Sequence, residues 1–219
     1  ENMLKLEHVK KTFNKGSANE VILYRDLNVE IHDGEFVTII GSNGSGKSTF
    51  FNVISGNIRQ DAGSVSFNGK DVSRLPEHKR SQFIGRVFQD PQKGTSPSLT
   101  ILQNMAMAYH KGKSFGLTKG VDKALIPLFE RELADMQLGL ESKLHVSVGS
   151  LSGGQRQALS LLMATLITPQ LLLLDEHTAA LDPKTSDLII QLTKKIVEEK
   201  KMTTIMITHN LKQDRKSVV

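Results

Sequence analysis

The sequence predicts an α/β fold: a parallel-sheet core with an N-terminal antiparallel β subdomain and an inserted α-helical subdomain. Apolar and polar residues alternate at 4–8 and 27–31, which indicates strands with one buried face. Unbroken apolar or β-branched runs, typical of parallel strands covered on both faces, occur at 36–40, 171–174 and 203–207. A helical period dominates between residues 90 and 167, where the inserted subdomain is expected.

The elements follow from local signals in order along the chain. Asp33-Gly34 ends the second alternating run, and Asn68-Gly69 ends a third at 64–67, so both pairs are predicted turns. Helices are predicted at 49–55, 101–109, 121–138 and 155–167, with glycines as breakers between them. One composite domain is expected, with a catalytic lobe at about 1–89 and 168–219 and the helical subdomain at about 90–167.

Composition excludes several classes of protein. The 219 residues carry a net charge of +5, contain no cysteine, and include no apolar run of the roughly 18 to 20 residues that cross a bilayer. Disulfide frameworks and thiolate zinc sites are therefore excluded, and a cytoplasmic location is expected because no signal peptide is recognisable. Acidic residues interleave with the basic pairs, so the charge does not predict nucleic-acid binding.

A glycine-rich loop between the run at 36–40 and the predicted helix at 49–55 fits the pattern G-x-x-x-x-G-K-[ST]. Glycines allow successive backbone N–H groups to face phosphate oxygens. Lys47 would offer its ammonium to the β and γ phosphates, and Ser48 would offer its hydroxyl to Mg²⁺. The predicted nucleotide-binding residues are Gly41, Ser42, Asn43, Gly44, Ser45, Gly46, Lys47, Ser48 and Thr49. This loop alone does not choose among kinases, GTPases, helicases and transport ATPases.

Two further segments carry residues suited to phosphate chemistry. The run at 171–174 ends in Asp175, which can hold Mg²⁺, and Glu176, which can polarise an attacking water. A polar end on a strand that simply reaches solvent is the alternative. Ser152, Gly153, Gly154 and Gln155 form a second predicted anion site, because a capped helix with exposed amides begins there. An ordinary capped helix is the alternative for that segment.

Together these segments, in this order, resemble the ATP-binding-cassette (ABC) ATPase family along nearly the whole chain. Residues 41–49 are similar to its Walker A loop, 171–176 to Walker B, and 151–155 to its signature motif. The resemblance also covers four single residues. Gln89 corresponds to the Q-loop glutamine, Asp182 to the D-loop aspartate, His209 to the switch histidine, and Phe13 to an aromatic residue that stacks on adenine.

The resemblance implies a P-loop NTPase (RecA-like) core and a mechanism. Two cassettes form a head-to-tail homodimer, with ATP between the Walker A loop of one and the signature of the other. Glu176, His209 and Gln89 would be catalytic, and Ser48, Gln89 and Asp175 would serve Mg²⁺. The partners implied are a second cassette and a separate transmembrane permease, which places the chain in the cytoplasm at the inner face of the cell membrane, held there only through the permease.

The chain departs from the family pattern at two places. His177 stands where many members carry proline after the catalytic glutamate. The family usually continues past the switch histidine with a helix and two strands, whereas few residues follow His209, so C-terminal strands are expected to be missing.

The leading hypothesis is the ATPase subunit of a bacterial uptake system for amino acids or related small solutes. One alternative is a regulatory or mechanical ATP clamp of the cell-division type. Another is a small-molecule kinase, which the segment at 151–155 disfavours.

Overall fold

Two four-stranded sheets form the framework of the part of the chain that the structure describes. The computed structural model describes residues 2–42, 46–111 and 120–209. The strands are β1 (Asn2–Phe13), β2 (Val21–His32), β3 (Phe36–Ile40), β4 (Ala62–Phe67), β5 (Lys70–Asp71), β6 (Ile84–Val87), β7 (Leu171–Asp175) and β8 (Thr203–Thr208). The first sheet is antiparallel with the order β2-β1-β4-β5, and the second is parallel with the order β3-β8-β7-β6. The predicted α/β fold is therefore confirmed.

Six helices pack around the sheets in the described residues. They are α1 (Lys47–Ser55), α2 (Glu77–Arg80), α3 (Ile101–Tyr109), α4 (Ile126–Asp135), α5 (Gly153–Thr165) and α6 (Pro183–Lys200). Short 3-10 turns occur at Lys123–Leu125, Leu140–Ser142 and Val148–Ser150. Neither β6 nor α6 is predicted from the sequence patterns above. Helix α6 begins after Asp182, whose side chain accepts a hydrogen bond from the backbone N–H of Thr185.

Strand β7 divides the hydrophobic core into two clusters because its side chains alternate between the faces of the parallel sheet. Leu171 and Leu173 pack into a cluster shared with α1 and the antiparallel sheet. Leu172 and Leu174 pack into the other cluster, which contains α5, α6 and the helical region. All four side chains are fully buried. The two-sided burial predicted from this apolar run is therefore confirmed.

The helix predicted over 121–138 is shorter in the structure. The Asp122 carboxylate accepts the backbone N–H of Ala124 at 2.9 Å and caps a 3-10 turn, so the α-helix begins only at Ile126. The helix ends at Asp135, before Gln137 and Gly139 adopt positive φ angles. Local capping and left-handed backbone conformation thus override the apolar periodicity at both ends.

Helix α4 is anchored by Phe129, one of the largest fully buried side chains. Its ring packs edge-on against Tyr109 of α3, with 6.1 Å between the ring centroids. Edge-to-face packing of this kind adds to the free energy gained from apolar burial. Phe129 therefore fastens α4 to the rest of the helical region.

Replacement of this ring tests its contribution to stability. We expect Phe129→Ala to lower the free energy of unfolding by about 3–5 kcal/mol, because a cavity replaces a buried aromatic side chain. Glu130→Ala, at the exposed neighbouring position, should change it by less than about 0.5 kcal/mol. Urea unfolding followed by circular dichroism measures both; equal stability of the two variants would contradict the packing described.

Candidate active site

A cavity of about 220 Å³ lies where β3, β7 and β8 end. Its walls contain Phe13, Leu23, Gly46, Lys47, Ser48, Thr49, Glu176 and Ile207. The cavity thus brings the predicted adenine aromatic, part of the glycine-rich loop and the predicted hydrolytic carboxylate together. Gly41 and Ser42 follow β3 directly, while Asn43, Gly44 and Ser45 lie outside the described residues.

Gly46 sits where the chain enters α1, at a φ of 93°. This left-handed conformation favours glycine. A Cβ at this position would also lie 3.1 Å from Leu23 Cδ1 and from the Tyr24 hydroxyl oxygen. The Tyr24 hydroxyl donates a hydrogen bond to the Gly46 carbonyl oxygen, which fixes the end of the loop.

Glu176 lies between two nitrogen groups at the rim of the cavity. Its Oε1 atom lies 3.3 Å from Lys47 Nζ and 3.0 Å from His209 Nδ1. Partial burial raises the pKa of Glu176, but the hydrogen bonds from His209 and Lys47 together outweigh it and hold the pKa below its usual value. The carboxylate is therefore ionised at neutral pH and able to accept a proton. Lys47 Nζ also donates to the Gly41 carbonyl oxygen.

Asp175 is paired with an arginine that the sequence patterns do not predict. Arg86 Nη2 lies 3.2 Å from Asp175 Oδ2, and Arg86 Nη1 donates to Asn52 Oδ1 at 2.9 Å. The guanidinium also stacks on the Phe88 ring, 4.7 Å from its centroid. Arg86 therefore ties the predicted metal carboxylate on β7 to helix α1 and strand β6.

The residues present suit a magnesium ion. Mg²⁺ takes oxygen ligands, keeps several waters, and is usually held by only one or two protein groups together with substrate phosphates. Ser48 supplies a hydroxyl in the cavity wall, and Asp175 supplies a carboxylate with only one oxygen engaged by Arg86. Within the described residues, no cluster of three acidic or histidine side chains offers an alternative metal site.

The predicted second anion site begins α5, away from the cavity. The Ser152 hydroxyl accepts the Gln155 N–H at 3.2 Å, and the Gln155 side chain accepts the Ser152 N–H at 3.1 Å. A Cβ on Gly154 would lie 2.4 Å from Thr185 Cγ2. A larger residue at this position would therefore force the Thr185 side chain, in the first turn of α6, to move.

Gln89, Asp182 and residues 152–155 are not among the residues that line the cavity. Gln89 lies exposed just after β6, and Asp182 caps α6, where the side-chain and backbone hydrogen bonds from Thr185 lower its pKa. One copy of the chain therefore presents two separate groups of predicted ATP-binding residues.

Residues 24–179 match the family model described as ABC transporter. The chain belongs to the ABC transporter family. The match spans most of the chain and includes the glycine-rich loop, the segment at 152–155 and both carboxylates. This cassette is an ATP-binding and ATP-hydrolysing subunit of a membrane transporter.

The similar proteins are ATP-binding components. The chain is 48% identical over 210 residues to the tyrosine transport ATP-binding protein of Clostridioides difficile, covering 96% of this chain and 83% of that protein. It is 33% identical to the methionine import ATP-binding protein MetN 2 of Enterococcus faecalis, covering 98% of this chain and 60% of that protein. A dimeric cassette in a post-hydrolysis state, bound to ADP and Pi, matches with a TM-score of 0.78 and 32% identity, covering 97% of this chain and 90% of that one. These relatives do not favour the clamp or kinase hypotheses.

The search for membrane-crossing segments gives a negative result. Among the described residues, the cassette has no helix that is both long enough and apolar enough to cross a bilayer. The expectation that C-terminal strands are missing concerns residues 210–219, which lie outside the described residues.

Sequence patterns missed the residues that connect the motifs of the cassette. Arg86 carries a charge inside a short strand, which is the one local signal that marks it. Gln157 lies on α5 and is fully buried, with its amide contacting backbone atoms from two other segments. Nothing in the spacing of residues around Gln157 indicates this contact, because it depends on tertiary packing.

His177, the departure from the family pattern, is a core residue of the cassette. The ring is buried, and its Nε2 lies 2.9 Å from the Thr193 hydroxyl on α6. Burial lowers the pKa of His177 to about 4. The position thus joins the end of β7 to α6 by a hydrogen bond between neutral groups.

The buried histidine makes stability depend on pH. Between pH 6.5 and 4 the unfolded chain binds a proton at His177 and the folded chain does not. The stabilisation that the neutral, buried ring gives to the folded state is therefore complete above pH 6.5 and is lost as the pH falls. The loss amounts to about 3 kcal/mol over that range. We expect the free energy of unfolding of His177→Gln to fall by about 3 kcal/mol less than that of the wild type over the same pH range. Urea unfolding at pH 7, 5.5 and 4 measures this difference; an equal loss of stability in the two proteins would contradict the buried neutral ring.

Proposed function

We propose that two copies of this cassette bind two ATP molecules head to tail and thereby energise amino-acid uptake through a separate permease. The observation that carries the proposal is the separation of the two groups of phosphate-binding residues. Lys47 and its neighbours line the cavity, whereas Ser152–Gln155 lie outside it. A twofold dimer would bring the signature segment of one copy to the nucleotide of the other. The match to a dimeric cassette bound to ADP and Pi supports this arrangement.

Each predicted side chain has a distinct task in the proposed site. Lys47 neutralises phosphate charge, and Phe13 offers its ring to adenine from the same cavity wall. Glu176 accepts a proton from the attacking water, since its lowered pKa keeps the carboxylate ionised at neutral pH and its contact with His209 holds it in place. His209 would then steady the γ-phosphate, while Gln89 senses the site from the end of β6. Asp182 acts at the dimer interface.

Ser48, Asp175 and Gln89 are the proposed holders of Mg²⁺. When bound, the ion neutralises charge that develops on the phosphate oxygens during hydrolysis. Arg86 keeps one oxygen of Asp175 engaged and leaves the other available.

The permease is proposed to contact a groove of about 350 Å³ between the sheet core and the helical region. Met107 and Met163 give it an apolar wall, and Lys93 and Lys111 add positive charge. Burial lowers the pKa of Lys111, so an acidic residue on the incoming segment would stabilise its charged form. Docking there would place the cassette in the cytoplasm at the inner face of the membrane, with residues 90–167 as the coupling subdomain.

The proposed solute class rests on the relatives. The similar proteins of Clostridioides difficile and Enterococcus faecalis are named for tyrosine transport and methionine import. Both solutes are amino acids, so an amino acid is the solute class we assign to this system.

Removal of the hydrolytic carboxylate tests the dimer. We expect Glu176→Gln to retain ATP binding, to lower kcat at least about 100-fold, and to accumulate as an ATP-bound dimer, because loss of the general base stops the cycle before the interface opens. Steady-state ATPase assays and light scattering with Mg-ATP measure this.

A matched control is Glu77→Gln, an exposed glutamate on α2 that should behave as wild type. A Glu176→Gln protein that binds Mg-ATP and stays monomeric would contradict the dimer. Turnover at the wild-type rate would contradict the assignment of Glu176.

A charge in the groove tests the permease contact. We expect Met107→Glu to abolish co-purification of the cassette with its permease and to abolish uptake of the amino acid in cells. The ATPase activity of the isolated cassette should not change, because Met107 is exposed and lies outside the catalytic cavity.

Val146→Glu is the matched control, since Val146 is a similarly exposed apolar residue of the helical region and does not line the groove. Equal co-purification of the two variants would exclude the groove as the permease site. Uptake of tyrosine, methionine and an unrelated sugar by the purified complex in vesicles identifies the solute class.

A further inference from the structure

Gln157 joins three segments of the cassette through one side-chain amide. It lies on α5, the helix that begins with the signature residues, and is fully buried. Its Nε2 atom donates to the Phe88 carbonyl oxygen at 2.8 Å and to the His177 carbonyl oxygen at 2.6 Å. Both acceptors belong to the backbone immediately beyond the ends of the neighbouring parallel strands β6 and β7.

The partners determine which way the amide faces. A carbonyl oxygen only accepts hydrogen bonds, so the nitrogen of Gln157 must point at both of them. The Oε1 atom is left buried without a hydrogen-bond partner in the described part of the chain. A buried unsatisfied polar atom costs about 1–3 kcal/mol. The gain from the two donated bonds must therefore offset that cost.

The two carbonyl groups flank residues with proposed roles in hydrolysis. Phe88 directly precedes Gln89, and His177 directly follows Glu176. Each hydrogen bond fixes the backbone one residue away from a group that has to meet ATP. Because one amide nitrogen holds both carbonyls, it also sets the separation of the two segments.

We propose that Gln157 is a positioning residue for ATP hydrolysis, which holds the backbone beside Gln89 and Glu176 at a fixed separation and ties both to the signature helix. The inference rests on the proposed roles of Gln89 and Glu176. It adds a route by which a displacement of α5 in one copy moves both residues together. Gln157 itself does not line the nucleotide cavity.

The principal test compares Gln157→Met with the wild-type cassette. Methionine fills a similar volume and donates no hydrogen bond. We expect kcat to fall about tenfold or more, since displacement of catalytic groups by a fraction of an ångström is costly. The KM for ATP should stay within about threefold, because Lys47 and the rest of the cavity wall are unaltered.

Thr165→Val is the matched control on the same helix. Thr165 is also fully buried, but its hydroxyl donates to the carbonyl oxygen of Leu161 within α5. This variant removes a buried hydrogen bond without touching either catalytic segment, so its kcat should stay within about twofold of wild type. Gln157→Asn, whose amide is one methylene shorter and cannot span both carbonyls, should show the same kcat loss as Gln157→Met and serves if that variant does not fold.

A double variant separates positioning from general loosening of the fold. If Gln157 acts through Gln89, then adding Gln157→Met to Gln89→Ala should lower kcat by much less than it does in the wild type. An effect of equal size in both backgrounds is what general loosening of the fold predicts, and it would contradict the coupling of Gln157 to Gln89. The proposal would be overturned if Gln157→Met kept the kcat of the wild type. It would also be overturned if Thr165→Val lost as much kcat as Gln157→Met. Failure of the Glu176→Gln single variant, with Gln157 intact, to dimerise with Mg-ATP would instead overturn the proposed function.

Discussion

Burial of β7 on both faces is the constraint on which the architecture depends. Four consecutive leucines lose all contact with water, and they do so by sending alternate side chains into two hydrophobic clusters. A strand held in this way has no freedom of register, because a shift by one residue would exchange its two sets of side chains. The end of the strand is therefore fixed, and Asp175 and Glu176 emerge at a defined edge of the sheet, beside Lys47.

The same packing separates the two groups of predicted ATP-binding residues within one copy of the chain. The cluster on one face of β7 includes α1, which begins at Lys47, whereas the cluster on the other face includes α5, which begins after Ser152. The two helix N-termini therefore belong to opposite sides of the sheet. The proposed twofold assembly joins the two groups by bringing one from each copy.

Much of the fold follows from the sequence because its signals are local. The unbroken apolar run at β7 and the turn at Asp33-Gly34 are both predicted by residues that are neighbours in the sequence. The short helix α4 shows the limit, since the Asp122 cap and the backbone at Gln137 decide its ends against the apolar pattern. For the candidate site, Lys47 and Glu176 are predicted from motifs and meet at one cavity. Gln157 and Arg86 are not predicted, because their partners are distant in sequence.

Glu176 adopts a left-handed backbone conformation, with a φ of 49°. For a residue with a long side chain this conformation costs about 1 kcal/mol, whereas glycine or asparagine would adopt it at less cost. Neither has a carboxylate that reaches both Lys47 and His209. Selection for folding alone would favour one of those smaller residues here, so a glutamate at this position exchanges some stability of the fold for catalytic turnover.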